Sequence, residues 1–336
     1  MSANQLVLAA IFALFLLPAF GFANGRQKSL AIIKEINKNG PYLGLITVYS
    51  AEEDAFFATG AFKNDSRYPY VDLSGRRFRV GRIEGKKVIY VRCGIGMVNA
   101  AAATQQMVDL FDIYGLIHFG VSGNTNTSLS IGDVVVPKEF INTGLWDWMK
   151  TNGTVPIEDI AKLDVKDYNL PKRGNNYLGR IAYRSERYYS EAGEPNVPQE
   201  KVWFEVTTNW LQLATSLQGI ELERCVNSTL CLETKPKVVV GVRGSTANMF
   251  VNNGDYRDFL YQTFGVSSAD MESSAVVMTS FSNGYPVIVI RGMSDLAGGQ
   301  NGTVNDIDLF ESLASTNVAK VVLQFIKLLS RKLYPF

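Results

Sequence analysis

Pro286-Val287-Ile288-Val289-Ile290-Arg291-Gly292-Met293-Ser294-Asp295 is the stretch that decides the fold of this chain. Val287–Ile290 is apolar and β-branched throughout, without the alternation of a strand that keeps one face in water, so the stretch reads as a strand buried on both faces that ends in Ser294 and Asp295. Leu43–Tyr49, Gly115–Val121, Val134–Ile141 and Lys237–Val242 are runs of the same kind. Arg77–Ile83 and Val88–Cys93 read as a hairpin about Glu84-Gly85. Between them lie helices. Met97–Phe111 is rich in small residues, and a last helix capped by Asp306 carries Leu309, Phe310, Leu313, Val321, Val322, Phe325 and Leu329 at helical spacing. The expectation is an α/β fold, a three-layer α/β/α sandwich about a mixed central sheet.

The 336 residues hold 33 Lys and Arg, 32 Asp and Glu and one His, for a formal net charge of +1. That balance lacks the single-signed field that draws in nucleic acid or an acidic membrane, and suits a small neutral ligand. One His and three Cys are too few for a Cys/His zinc site, and neither metal nor cofactor is expected. Residues 1–25 have no charged side chain; the apolar run Leu6–Leu17, then Pro18 and Gly21-Phe22-Ala23, end like a cleavage site. Residues 1–23 are read as a signal peptide, the competing reading being a membrane anchor. Cleavage would leave no stable membrane insertion and place the chain in the secretory pathway, extracellular or vacuolar. In such an oxidising compartment Cys225 and Cys231 can close a disulfide loop, whereas Cys93 reads as packing. Glycosylation triplets stand at Asn64, Asn126, Asn152, Asn227 and Asn301.

From Gly144 to Phe204 the periodicity breaks, and Trp146, Trp148, Trp203, Tyr177, Tyr183, Tyr188 and Tyr189 crowd a polar, proline-containing stretch. It reads as an insertion in one domain of residues 41–333. Its aromatics either cover a site or oligomer contact, or simply pack a surface elaboration.

Chemistry belongs at the strand ends, where open α/β sheets form their ligand crevice. Tyr49-Ser50-Ala51-Glu52-Glu53-Asp54 puts acids after the first strand, as a helix start or a general base. Gly94-Ile95-Gly96 before a helix lacks the third glycine of a dinucleotide fingerprint. Gly120-Val121-Ser122-Gly123 is a tight end that allows close backbone approach to a flat ligand. Glu272 offers two acceptor oxygens to a vicinal diol, and Asp295, at the end of a buried strand, can act as an acid.

Gly94–Ala100, Gly120–Gly123, Ala269-Asp270-Met271-Glu272 and Arg291–Ala297, taken in order, resemble the nucleoside phosphorylase superfamily. The local motifs are most similar to its methylthioadenosine/S-adenosylhomocysteine nucleosidases, while the leader and insertion resemble the plant bark storage branch. The resemblance spans about Pro41 to Leu333 apart from the insertion. It implies that Glu272 holds the ribose 2′- and 3′-hydroxyls with Met271 beside the sugar, and that Asp295 protonates or hydrogen-bonds purine N7. It further implies that Phe250 stacks on the base, that Ser294 and Arg291 support the acid and the sugar pocket, and that Ser122 and Gly123 adjoin the ligand. The water-activating glutamate falls at Glu52 by ungapped counting, or at Glu53 by matching the acidic run.

The activity so implied is cleavage of the N-glycosidic bond of purine nucleosides of the adenosine type, including methylthioadenosine or cytokinin ribosides, by a homo-oligomer. Water is favoured over phosphate as nucleophile, because the Arg-bearing phosphate loop is absent and His118 stands where phosphorylases place an arginine. A histidine with a pKa of about 6.5 would still be cationic in a mildly acidic compartment. His118 is therefore a phosphate ligand, with phosphate as co-substrate, or a packed structural residue. The alternative function is a storage or nucleoside-binding protein with little or no turnover.

Overall fold

A computed structural model describes residues 25–149, 161–164, 180–299 and 307–329. Helix α1 (residues 25–37) leads into β1 (Tyr42–Thr47) and α2 (Ser50–Ala58). The chain continues through β2 (Lys63–Asn64), β3 (Tyr70–Leu73), β4 (Arg76–Ile83) and β5 (Lys86–Arg92) to α3 (Met97–Leu110) and the long β6 (Ile113–Asn124). After β7 (Val134–Val136) and β8 (Glu139–Asn142), strands β9 (Trp146–Trp148), β10 (Lys162–Asp164), β11 (Arg180–Tyr183), β12 (Glu186–Tyr188) and β13 (Gln199–Lys201) make two small sheets. The main sheet resumes with β14 (Phe204–Glu205) beside β8, then α4 (Thr208–Ala214), β15 (Val238–Val240), β16 (Arg243–Thr246) and α5 (Gly254–Phe264). It ends with β17 (Val266–Asp270), α6 (Ser273–Ser282), β18 (Val287–Leu296) and α7 (Ile307–Leu328).

Every residue of β1 is buried, and so is every residue of β18 except its last. Strand alternation splits their side chains between two cores. Tyr42 and Ile46 pack with α1, α3 and α6, whereas Leu43 and Leu45 pack with Phe56 of α2, Trp210 of α4 and Phe325 of α7. Helices therefore cover both faces of a sheet with parallel and antiparallel pairs, the three-layer arrangement expected from the apolar runs.

The differences from expectation have local causes. The run Val134–Ile141 is two strands, because Pro137 cannot donate to a ladder, and β7 and β8 pair with different partners. Likewise Lys237–Val242 stops at Val240, where Gly241 at φ 93° turns the chain toward β16. Strand β17 gave no apolar run because its interior positions are Ser267 and Ser268, both buried. Ile33 and Ile36 of α1 join the core ahead of residue 41. The expected leader, the Asp306 cap, Asn152 and Asn301 lie outside the described residues. Insertion aromatics do not pack only on each other: Tyr183 meets Phe264 of α5, and Tyr188 meets Phe204 and Phe281 of α6. Cys225 and Cys231 are joined in a disulfide, with Asn227 exposed in the loop between them. Asn64 is also exposed, whereas Asn126 is partly buried and its amide donates to Ser267 Oγ at 3.1 Å.

Gly292 lets α7 lie directly on β18: a Cβ there would stand 2.7 Å from the Ala314 carbonyl oxygen and 2.7 Å from Val318 Cγ2. Gly292→Ala is expected to lower stability by about 1–3 kcal/mol through this overpacking, measured as a reduced urea midpoint with unchanged slope. An unchanged midpoint would contradict the close packing.

Candidate active site

The site opens where the edge of β6 changes partner. β18 follows one edge of β6 from Leu116 to Asn124, while on the other edge β1 stops opposite His118 and β17 begins opposite Gly123. Glu52, in the first turn of α2, enters the gap. Its Oε1 accepts from the Val121 N–H at 2.8 Å and its Oε2 from the Val48 N–H at 2.7 Å, so one carboxylate takes the place of a missing strand. Gly120 makes this approach possible, since a Cβ there would lie 2.0 Å from Glu52 Oε1 and 2.7 Å from Arg291 Nη1. At Gly120 the room is thus taken by protein side chains, whereas Val121, Ser122 and Gly123 of the same segment face the cavity.

Behind Glu52 lies Arg291, fully buried in β18. Its Nε is 3.2 Å from Asp270 Oδ2 and donates to Ser273 Oγ at 3.0 Å; its Nη1 donates to the Val121 carbonyl at 3.3 Å. Glu52 Oε1 and Glu272 Oε2 stand 3.9 and 3.7 Å from the guanidinium nitrogens. Burial would raise the Asp270 pKa, but Arg291 and hydrogen bonds from Ser273 and Glu272 hold it below its usual value. For Glu52 the balance is reversed: burial outweighs Arg291 and the two N–H donors and lifts the carboxyl to about 7. Burial raises Glu272 as well.

His118 is not a phosphate ligand in this geometry. It is fully buried, with Nδ1 3.0 Å from the Ile46 carbonyl and Nε2 2.5 Å from Arg291 Nη2. A carbonyl only accepts, so Nδ1 carries the hydrogen and Nε2 accepts from Arg291. Burial and the adjacent guanidinium push its pKa down to about 3, leaving it neutral in mild acid. Of the two candidate glutamates, Glu53 pairs with Arg92 at 3.0 Å and Arg79 at 3.4 Å and does not line the cavity, whereas Glu52 does.

That cavity, of about 260 Å³, brings together Glu52, Ser122, Gly123, Phe250, Met271, Glu272, Ser294 and Asp295. Glu272 sits at the N-cap of α6 but leaves its own helix uncapped; its Oε1 accepts from the Gly96 N–H at 2.8 Å. Gly96, at φ 96°, thus presents to a carboxylate the backbone that the Gly94-Ile95-Gly96 motif offers to an anion. Buried Asp295 receives the Ser294 hydroxyl at 2.7 Å. Phe250 is exposed, with Ile95 and Met249 beside it in the lining. Asp270, Tyr49 and Glu311 were not anticipated. Tyr49 and Glu311 meet across 262 positions of sequence, for which no local motif exists. Among the described residues lining the cavity there is no Lys, Arg or His, and among the described residues no group of His, Cys, Asp and Glu is arranged to hold a metal ion.

Replacing Arg291 by Met would leave its carboxylates buried without the cation. The expected loss is about 3–5 kcal/mol. Glu52 and Glu272 would then hold protons more tightly in the folded than in the unfolded chain, so stability falls as pH rises, and the loss should be smaller at about pH 5 than at about pH 8. Urea unfolding at both values measures this; equal losses would contradict the charge balance.

Comparison with known proteins agrees with the geometry. Residues 44–327 match the family model described as Phosphorylase superfamily. The chain is 35% identical over 258 residues to bark storage protein A of Populus deltoides, covering 76% of this chain and 80% of that protein. It is 24% identical over 265 residues to the 5′-methylthioadenosine/S-adenosylhomocysteine nucleosidase of Geobacillus kaustophilus, covering 78% of this chain and 88% of that protein. The nucleosidase of the same name from Helicobacter pylori, solved with butyl-thio-DADMe-Immucillin-A, superposes with a TM-score of 0.59 at 17% identity, over 87% of this chain and all (100%) of that one. The family model spans most of the chain and the storage protein is more than one-third identical over three quarters of it: the chain belongs to the phosphorylase superfamily.

Proposed function

We propose that this protein cleaves the N-glycosidic bond of purine nucleosides of the adenosine type, with water as the nucleophile. The juxtaposition of Glu52, Glu272 and Asp295 in one cavity carries the proposal. Bond cleavage places positive charge on the ribose and negative charge on the leaving base. Asp295, oriented by Ser294, donates a proton to purine N7; Glu272 accepts from the ribose 2′- and 3′-hydroxyls; Met271 packs beside the sugar and Phe250 on the base. Glu52, with a pKa of about 7, is suited to take a proton from the attacking water near neutrality. Arg291 and His118 act through these groups by holding Glu52 and Glu272 in place.

Water is favoured because a phosphate dianion entering this cavity meets carboxylates and, among the described lining residues, no cationic side chain. The resemblance to proteins named as nucleosidases supports the same nucleophile. Methylthioadenosine and cytokinin ribosides share the diol and the purine N7 that these groups engage, no cofactor is invoked, and a homo-oligomer would bury the exposed Ile95, Met249 and Phe250 at the cavity. The disulfide and the apolar leader support passage through the secretory pathway to the cell exterior or vacuole. A second reading, a storage or nucleoside-binding protein with little turnover, draws on the 35% identity to bark storage protein A.

Base release from adenosine, inosine, methylthioadenosine and a cytokinin riboside, with and without phosphate, decides between them. Asp295→Asn and Glu52→Gln are each expected to lower kcat/KM by about 10²–10⁴-fold. Because Glu52 must be ionised to act as base, kcat/KM should rise with pH through about 7 in the wild type, and that rise should vanish in Glu52→Gln. Saturable nucleoside binding without base release would favour the storage reading.

A further inference from the structure

One hydrogen-bonded polar pair of the cavity has no part in the chemistry above. Tyr49 follows β1 at the N-cap of α2, the helix that carries Glu52, and Glu311 lies in the second turn of α7. The Tyr49 hydroxyl donates to Glu311 Oε1. Burial, the nearby Glu52 and the Glu311 contact all raise the Tyr49 pKa, so the hydroxyl keeps its hydrogen and has it committed to Glu311. What the pair offers a ligand is acceptor capacity: the phenol oxygen keeps lone pairs, and a carboxylate accepts more than one hydrogen bond.

We propose that the Tyr49–Glu311 pair is a specificity element that accepts a hydrogen bond from the 5′-hydroxyl of a nucleoside and discriminates against apolar 5′ substituents. The inference rests on the purine nucleoside reading of the same cavity. In that reading the vicinal diol goes to Glu272, the base nitrogen to Asp295 and Ser294, and the reacting carbon faces the water held by Glu52. The one polar group left on the ribose is the 5′-hydroxyl, and the polar pair left in the lining is Tyr49 with Glu311. An alkylthio group at that end would desolvate a carboxylate without giving it a donor, which is the strongest kind of discrimination a polar pocket achieves. The related nucleosidases are named for 5′-methylthioadenosine; this chain is assigned the opposite 5′ preference.

Calorimetric titration of the wild type with adenosine, 5′-deoxyadenosine and methylthioadenosine, each as its non-cleavable 9-deaza C-nucleoside, tests this without turnover. Adenosine should bind about tenfold or more tightly than 5′-deoxyadenosine, which lacks only the hydroxyl. Glu311→Leu should bring that ratio close to one and strengthen methylthioadenosine binding, while Glu311→Gln, which keeps a carbonyl acceptor, should retain part of the ratio. If the wild type binds adenosine and 5′-deoxyadenosine equally, the 5′ assignment is wrong and the nucleoside reading stands. If it binds none of the three, both fail. The wild-type ratio decides even where a variant does not fold.

Discussion

A guanidinium with no access to water has to be neutralised by its neighbours, and the position of Arg291 in β18 dictates which elements must meet around it. Asp270 comes from the end of β17, Glu272 from the start of α6 and Glu52 from the start of α2; His118 of β6 and Ser273 complete the shell. Such a cluster adds little net stability compared with an apolar core, but it fixes how those strand ends are placed relative to one another. It also divides the charge unequally. Asp270 is the nearest carboxylate and is held below its usual value, whereas burial lifts Glu52 and Glu272 and the more distant cation only partly offsets that rise. The interaction that assembles the strand ends is thus the one that brings a buried glutamate into the range of a neutral-pH base.

This arrangement bears on the choice between enzyme and store. A carboxyl whose folded-state pKa is about 7 binds a proton that the unfolded chain releases at lower pH, and so reduces stability at and above neutrality. Asp270 already stands nearest the Arg291 cation, and the two N–H groups that Glu52 caps would be served in part by a neutral side-chain amide oxygen. In a purely structural role the acid is a liability, whereas in a hydrolase it is the group that makes water reactive.

The apolar runs of β1, β6 and β18 were legible in sequence because strands buried on both faces have little freedom of composition. Glu272, Asp295, Phe250 and Ser294 were legible through a resemblance whose ordered motifs fall on strand ends, and all four line the cavity. Glu52 and Glu53 could not be separated in this way. They are neighbours on one helix, about 100° apart around its axis, and the face that turns inward is chosen by tertiary packing, with Phe56 buried on the same helix. His118 was ambiguous for a related reason: its chemistry as a residue type fits a ligand, and only burial against Ile46 and Arg291 removes its charge. Strand β17 was hidden by buried serines, and Glu311 by the 262 positions that separate it from Tyr49.

The central claim is that the strand ends gathered around Arg291 form a cavity in which water attacks the sugar. Product analysis in ¹⁸O-labelled water, with adenosine as substrate and phosphate present in excess, tests it most directly. The account predicts free base together with ribose carrying the label at its anomeric carbon. Unlabelled ribose 1-phosphate, or nucleoside bound and returned intact, would contradict it.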